Sequence, residues 1–199
     1  MSLVAPDLRD LPQPKIEVIP TKIHGCYELR PTVVQDQRGF FAKIFHRPLW
    51  EQLGLCTDFD EEYATHSLAG TVRGLHFQVP PMQHHKVVLC LRGEALDVAV
   101  DLRKDSPTYG EHIAVNLSGT LANAVYLPAG LAHGFCVTGD EALLYYKLSS
   151  VYSPRHDGGI RWDSAGVAWP VKDPVLSDRD RKLPAFADFD SPFRDVTGL

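Results

Sequence analysis

The stretch YLPAGLAHGF, residues 126–135, places two apolar, strand-like runs on either side of a turn. Pro128 fixes its own φ and Gly130 admits the backbone a tight turn needs, so the chain reverses and His133 starts the next run in a set direction. The same rhythm continues outward from this point. Runs rich in β-branched and aromatic residues occur at 16–19, 27–34, 40–45, 63–67, 71–78, 86–92, 95–102, 112–117, 124–127, 134–137 and 142–149. Turn residues separate them at 36–39, 92–93, 105–110 and 128–130. One helical piece is expected at 48–53, with Pro48 near its start and Gly54 beyond its end. Regular short strands with so little helix predict an all-β fold, with a double-sheet jelly roll foremost in that class and short helices at its periphery. Residues 1–15, rich in Pro and Asp, are expected to form a loose arm, and 16–199 a single domain. The Pro- and Asp-rich section from Tyr152, with Trp162 and Trp169, is expected to fold over that domain as a C-terminal flap.

With 199 residues, 44% of them hydrophobic, the chain can bury a core of ordinary size, and it has no apolar run long enough to span a membrane. The N-terminus lacks the basic-then-apolar pattern of a secretion signal, which predicts a cytoplasmic protein. Cys26, Cys56, Cys90 and Cys136 are widely spaced without a CxxC pair, and three of them lie in apolar segments, so reduced thiols are expected rather than disulfides or zinc. The net charge of −5 argues against a non-specific nucleic-acid binder but not against a small anion held by a few local cations.

In TVRGLHFQ, residues 71–78, Arg73 and His76 interrupt an apolar run. Alternation along an ideal strand puts Gly74, His76 and Gln78 on one face and Arg73, Leu75 and Phe77 on the other. Gly74 would then leave room for a ligand beside His76. The P-x-G-x-x-H pattern ending at His133 resembles the second half of the cupin signature. In metal-binding cupins the first half supplies H-x-H and a carboxylate, but here Gln78 replaces the second histidine and no acid follows at the needed spacing, so no metal is expected. His84 and His85 read as a solvated pair on a loop. Lys86 reads locally as a strand end sharing a face with Val88 and Cys90. Tyr146 and Tyr152 would share a face if their strand ran on.

Six motifs occur in order: DQRGFF from Asp36, VRGLHFQ from Val72, DVAVDLRKDSPTYG from Asp97, LPAGLAHGF from Leu127, YK with YSP at Tyr146 and Tyr152, and LSDRD from Leu176. Together they closely resemble the dTDP-4-dehydrorhamnose 3,5-epimerase family, over nearly the whole chain from Ile16 to Pro184. The resemblance implies a cupin double-stranded β-helix, or jelly roll, that epimerises a dTDP-4-keto-6-deoxy-hexose in deoxysugar biosynthesis without metal or cofactor. It implies His76 as the base that removes a proton beside the 4-ketone, Asp180 as the carboxylate that orients it, and Lys86 as the cation near the C4 oxygen. Tyr146 matches the acid on the opposite face. Arg38 and Arg73 match the arginines for the pyrophosphate, and Tyr152, His133 and Gln78 further substrate contacts. Phe41 matches an aromatic position supplied across a dimer interface. A homodimer with exchanged strands is therefore expected, the edges of an open jelly roll also needing cover.

Three positions depart from the family pattern: Lys43 replaces an acidic residue, and Glu61 and Tyr63 stand where Gln and Asn are usual. They put the nucleotide base or the sugar substituents in question and leave the reacting centre intact. A pairing of Glu61 with Lys43 would remove its charge from a pyrophosphate. A 3,4-ketoisomerase of the same fold is the alternative, although those enzymes typically carry a histidine pair where Gln78 follows His76. A metal-dependent cupin oxygenase and a non-catalytic sugar-nucleotide-binding jelly roll are alternatives from other classes. The first lacks H-x-H, and the second would not be expected to keep His76, Asp180, Lys86 and Tyr146 together.

Overall fold

Period-two alternation is realised as strands in the computed structural model, which describes residues 14–194. All but the last two residues of the expected N-terminal arm lie outside the described residues. In chain order the elements are β1 (Ile16–Pro20), β2 (Tyr27–Pro31), β3 (Val33–Asp36), β4 (Gly39–Ala42), α1 (Arg47–Gln52), β5 (Glu61–Leu68), β6 (Val72–Gln78), β7 (Lys86–Asp101), β8 (His112–Ser118), β9 (Ala124–Leu127), β10 (Leu131–Leu148), β11 (Asp157–Gly159) and α2 (Asp178–Arg181). Every pairing among the named strands is antiparallel.

Two departures from the expected strands explain the architecture. The runs at 86–92 and 95–102 are one strand, β7, and those at 134–137 and 142–149 lie in one strand, β10. The expected turn at Arg92 and Gly93 is a corner within β7, where the pairing with β10 shifts between Val137 and Ala142. A Cβ at Gly93 would lie 1.8 Å from the Glu141 carbonyl oxygen, so only glycine lets the two backbones cross this closely. Beyond such corners a strand continues in a second sheet. The second half of β10 lies between β5 and the first half of β7, which β9, β2 and β1 extend. Its first half lies between β6 and the second half of β7, which β8 borders, and β11 edges β6. The run at 27–34 is, conversely, split: after Thr32, β3 leaves to pair only with β4 in a separate hairpin.

The interior follows from parity. Val88, Cys90, Ala95 and Ala99 of β7 and Leu131, Phe135, Val137, Ala142, Leu144 and Leu148 of β10 form the central cluster between the sheets. Opposite-parity residues meet outer layers. Val87 and Leu89 pack with Trp50 of α1, whose ring meets Phe45, Phe59 and Tyr126 edge-on. Leu75, Phe77, Val98 and Val100 are covered by the C-terminal section through Ile160, Ala165 and Phe193, the expected flap. Each fully buried aliphatic or aromatic side chain contributes roughly 1.5–3 kcal/mol, so the three layers together hold both sheets in register. Cys26, Cys90 and Cys136 are buried, Cys56 half-buried, and all four are free thiols. No helix among the described residues is long and apolar enough to cross a membrane.

Candidate active site

Where apolar alternation fails, the inner face becomes polar. Lys86 and Asp97 occupy inward positions of β7, and His133 and Tyr146 inward positions of β10, and all four are buried. Asp97 Oδ2 lies 2.8 Å from His133 Nε2, and His133 Nδ1 lies 3.5 Å from Lys86 Nζ. Burial drives the Lys86 ammonium down to about 8, against the pull of Asp97 and Asp157. It also holds His133 below the usual imidazole value despite Asp97, with Lys86 adding to the effect. His133 thus favours the neutral form, and Lys86 is the cation of this group below about pH 8.

His76 joins them from β6 through an irregularity. Its Cα pairs with that of His133, while Arg73, three residues earlier, pairs with Phe135, only two residues later. The extra residue on β6 is a bulge, and it reverses the parity between Arg73 and His76. Arg73 therefore faces inward like His76, and its guanidinium donates to Ser67 Oγ at 2.9 Å and the His66 carbonyl at 3.3 Å. The ideal-strand expectation that the two point apart is corrected by this bulge. The expectation for Gly74 is corrected as well. A Cβ there would lie 2.6 Å from Gly134 Cα and 2.8 Å from the His133 carbonyl, so the glycine admits β10, not a ligand.

Asp180 is delivered by α2, whose N-cap Ser177 accepts a hydrogen bond from the Asp180 amide at 3.0 Å. The flap carries this turn behind β6. The Asp180 carboxylate is buried, with Oδ1 2.6 Å from His76 Nε2 and Oδ2 accepting from the Gly74 amide at 3.4 Å. Burial alone would raise its pKa, but the hydrogen bond and charge of His76, with the Gly74 amide, hold it below the ordinary carboxylate value. A carboxylate on Nε2 fixes the tautomer in which Nε2 carries the proton and Nδ1 the lone pair.

His76 and Lys86 line one cleft of about 140 Å³, with Glu61, Tyr63, Tyr152 and Arg179 among its other walls. Tyr152 reaches it from a loop, since β10 ends at Leu148 and the continuous strand expected to align it with Tyr146 does not form. Its amide donates to Glu61 Oε2 at 2.7 Å, which is where Glu61 is engaged; Glu62 is the acid that pairs with Lys147. Arg179 pairs with Asp157 at 2.7 Å. Gln78, expected to contact substrate, is buried with its amide committed. Nε2 donates to the carbonyls of Met82 at 2.9 Å and Val151 at 3.1 Å, and Oε1 accepts from the Ser153 amide at 2.6 Å. The expected solvated histidine pair is instead built in. His84 Nδ1 lies 3.2 Å from Ser150 Oγ, and His85 Nδ1 lies 2.9 Å from the Tyr126 hydroxyl. Burial, with Lys86 and His133 nearby, takes His84 down to about 3.

Arg38 and Phe41 are not brought to this cleft. Both sit on the β3–β4 hairpin, where Arg38 pairs with Asp36 and Phe41 is 62% exposed. Sequence reasoning missed Asp97 and the contact of Tyr63 with Tyr146, whose rings stack at 4.6 Å. The signal for Asp97 was present, since in ALDVAVD it takes the inward parity of Ala95 and Ala99. Among the described residues no group of three or more His, Cys, Asp or Glu is arranged to hold a metal ion.

An antiparallel jelly roll with imidazole–carboxylate pairs and a buried lysine lining its interior defines a cupin-class barrel with a cluster of ionisable groups at its centre. The family model described as dTDP-4-dehydrorhamnose 3,5-epimerase matches residues 20–188. A protein of that name from Shigella flexneri is 41% identical over 178 residues, covering 88% of this chain and 98% of its own length. Among solved structures, a dTDP-4-dehydrorhamnose 3,5-epimerase from Bacillus anthracis with TDP and pyrophosphate bound superposes with a TM-score of 0.83 at 38% identity, covering 86% of this chain and 99% of that one. A dTDP-6-deoxy-D-glucose-3,5-epimerase from Legionella pneumophila in complex with dTDP-4-keto-L-rhamnose gives 0.86 at 33% identity, covering 91% and 99%. The chain belongs to the dTDP-4-dehydrorhamnose 3,5-epimerase family, and its members are isomerases.

Proposed function

We propose that this protein epimerises a dTDP-4-keto-6-deoxy-hexose at C3, C5 or both, as a step of dTDP-rhamnose-like deoxysugar biosynthesis. The observation that carries this reading is His76, hydrogen-bonded to the buried Asp180, facing the same cleft as Lys86. The C4 ketone acidifies the neighbouring C–H bonds. His76 Nδ1 takes the proton, the C–H electron pair moves into the carbonyl, and the Lys86 ammonium stabilises the resulting enolate oxygen. Tyr146 then gives its phenolic proton to the other face of the same carbon. Its pKa, pushed well above the ordinary value by burial, keeps that proton in place until the enolate forms. Arg73 and Tyr152 serve as substrate contacts, and His133, held by Asp97, supports Lys86. Arg38 and Phe41 are contributed to a partner's site in a homodimer, which accounts for their distance from their own cleft. A cytoplasmic setting fits four cysteines that are free thiols.

The test is incubation of the protein with the dTDP-4-keto-sugar in D2O, followed by NMR. Deuterium should enter C3, C5 or both while the carbonyl stays at C4, and His76→Asn should slow entry by about 10²–10⁴. A carbonyl moved to C3 would instead establish the ketoisomerase. No exchange with thymidine or other nucleoside diphosphate sugars would remove the proposal.

A further inference from the structure

Tyr146 is fixed on three sides. His133 meets its ring edge-on at 6.2 Å, Thr65 Oγ1 lies 3.4 Å from its hydroxyl, and Tyr63, its register partner on β5, stacks on it at 4.6 Å and 23°. Tyr146 is only 3% exposed, whereas Tyr63 is 39% exposed and lines the cleft with His76 and Lys86. Of the three neighbours, Tyr63 alone both holds the Tyr146 ring and forms part of the wall a substrate meets. The residue types matter, because a short polar side chain at position 63 could neither cover the ring nor exclude water from it.

We infer that Tyr63 is a positioning residue for reprotonation: its ring pins Tyr146 and keeps solvent from it, and so decides whether the enolate goes forward to inverted product or returns to starting sugar. This inference rests on the epimerase reading and on Tyr146 as its acid. If Tyr146 is loosened, the enolate waits, His76 exchanges its captured proton for a solvent deuteron, and His76 returns that deuteron to the face the proton left. The product of that failure is starting sugar carrying deuterium with unchanged configuration.

The experiment is the D2O assay with Tyr63→Asn and Tyr63→Phe, scoring deuterium in unreacted sugar against deuterium in inverted product. Tyr63→Asn should lower kcat about three- to tenfold with KM within about twofold, and raise the returned-to-product ratio by a similar factor. Tyr63→Phe, which keeps the ring, should restore both values to wild type. Tyr63→Ala, which removes the covering side chain altogether, carries the same expectation as the asparagine variant should that one fail to fold. A wild-type ratio in Tyr63→Asn would overturn the inference, as would a change confined to KM. So would a phenylalanine variant as impaired as the asparagine one, because the hydroxyl would then be the working group. Wild-type protein that exchanges nothing removes the epimerase reading and this inference together. Normal wild-type exchange with an unaffected variant removes this inference alone.

Discussion

In the proposed mechanism Lys86 serves chemistry at the expense of stability. It occupies an inward position next to Val88, fully within the barrel, and burial takes its pKa from 10.5 to about 8. An enolate oxygen is stabilised only by the protonated form, so kcat/KM should fall as pH rises through about 8. Lys86→Met should remove that limb and lower kcat by about 10²–10³, the range for loss of one group aimed at developing charge. The stability effect has a definite sign. Below about pH 8 the lysine is protonated in both folded and unfolded chains, and the folded state bears the cost of a buried cation. Between that value and 10.5 the unfolded chain binds more protons, so this group adds stability as pH rises. The step should be present in wild type and missing in Lys86→Met. At pH 7 the variant should be more stable by about 1–3 kcal/mol, the Asp97–His133 pair left behind offsetting part of the gain. Paired thermal melts at pH 7 and pH 10 measure this, and a variant less stable than wild type at pH 7 would contradict it.

At the scale of elements, strand existence was legible from period two, and strand continuity was not. Gly93 reads as a turn residue in sequence, yet it marks a crossing of backbones, and that depends on Glu141, distant along the chain. The parity of Arg73 was equally hidden, since a bulge is written in the partner strand as much as in its own. The short α2 is one turn with a serine cap, too brief for helical periodicity, although LSDRD had singled out Asp180 by resemblance. Gly74 is the position where this hidden geometry can be tested. Its φ is +123°, and any Cβ would strike the backbone of Gly134 and His133. Gly74→Ala should cost about 2–4 kcal/mol, combining strained backbone with a clash that no flexible side chain can relieve. That corresponds to a Tm lowered by about 5–15 °C for a domain of this size. Activity should fall in the surviving folded fraction too, because the Gly74 amide donates to Asp180 and the bulge sets the direction of His76. A melt unchanged from wild type would mean the bulge can relax without glycine.

For the whole molecule, the decisive feature is what the β3–β4 hairpin leaves uncovered. Val33, Val34, Phe40 and Phe41 are 36–62% exposed on a two-stranded sheet that pairs with no other strand of the described chain. An isolated hairpin of this length is marginal in water, and a cluster of large apolar side chains on it is more than scattered surface hydrophobes require. Arg38 lies on the same hairpin, and the cleft with His76 and Lys86 is lined by none of these residues. Cover for the apolar side chains and a cation for the pyrophosphate are both supplied if two chains exchange hairpins, each completing the other's cleft. Sedimentation should then find a particle of twice the 22.1 kDa chain. Phe41→Asp, which places a charge in the apolar cluster, should shift that particle to 22.1 kDa and raise KM for the nucleotide sugar, because Arg38 no longer reaches a neighbouring site. Arg38→Ala should raise KM in the intact dimer without changing its mass, separating the loss of the arginine from the loss of assembly. A wild-type monomer with full activity would refute exchange, and would require the pyrophosphate to be held by Arg73 and Arg179 of one chain.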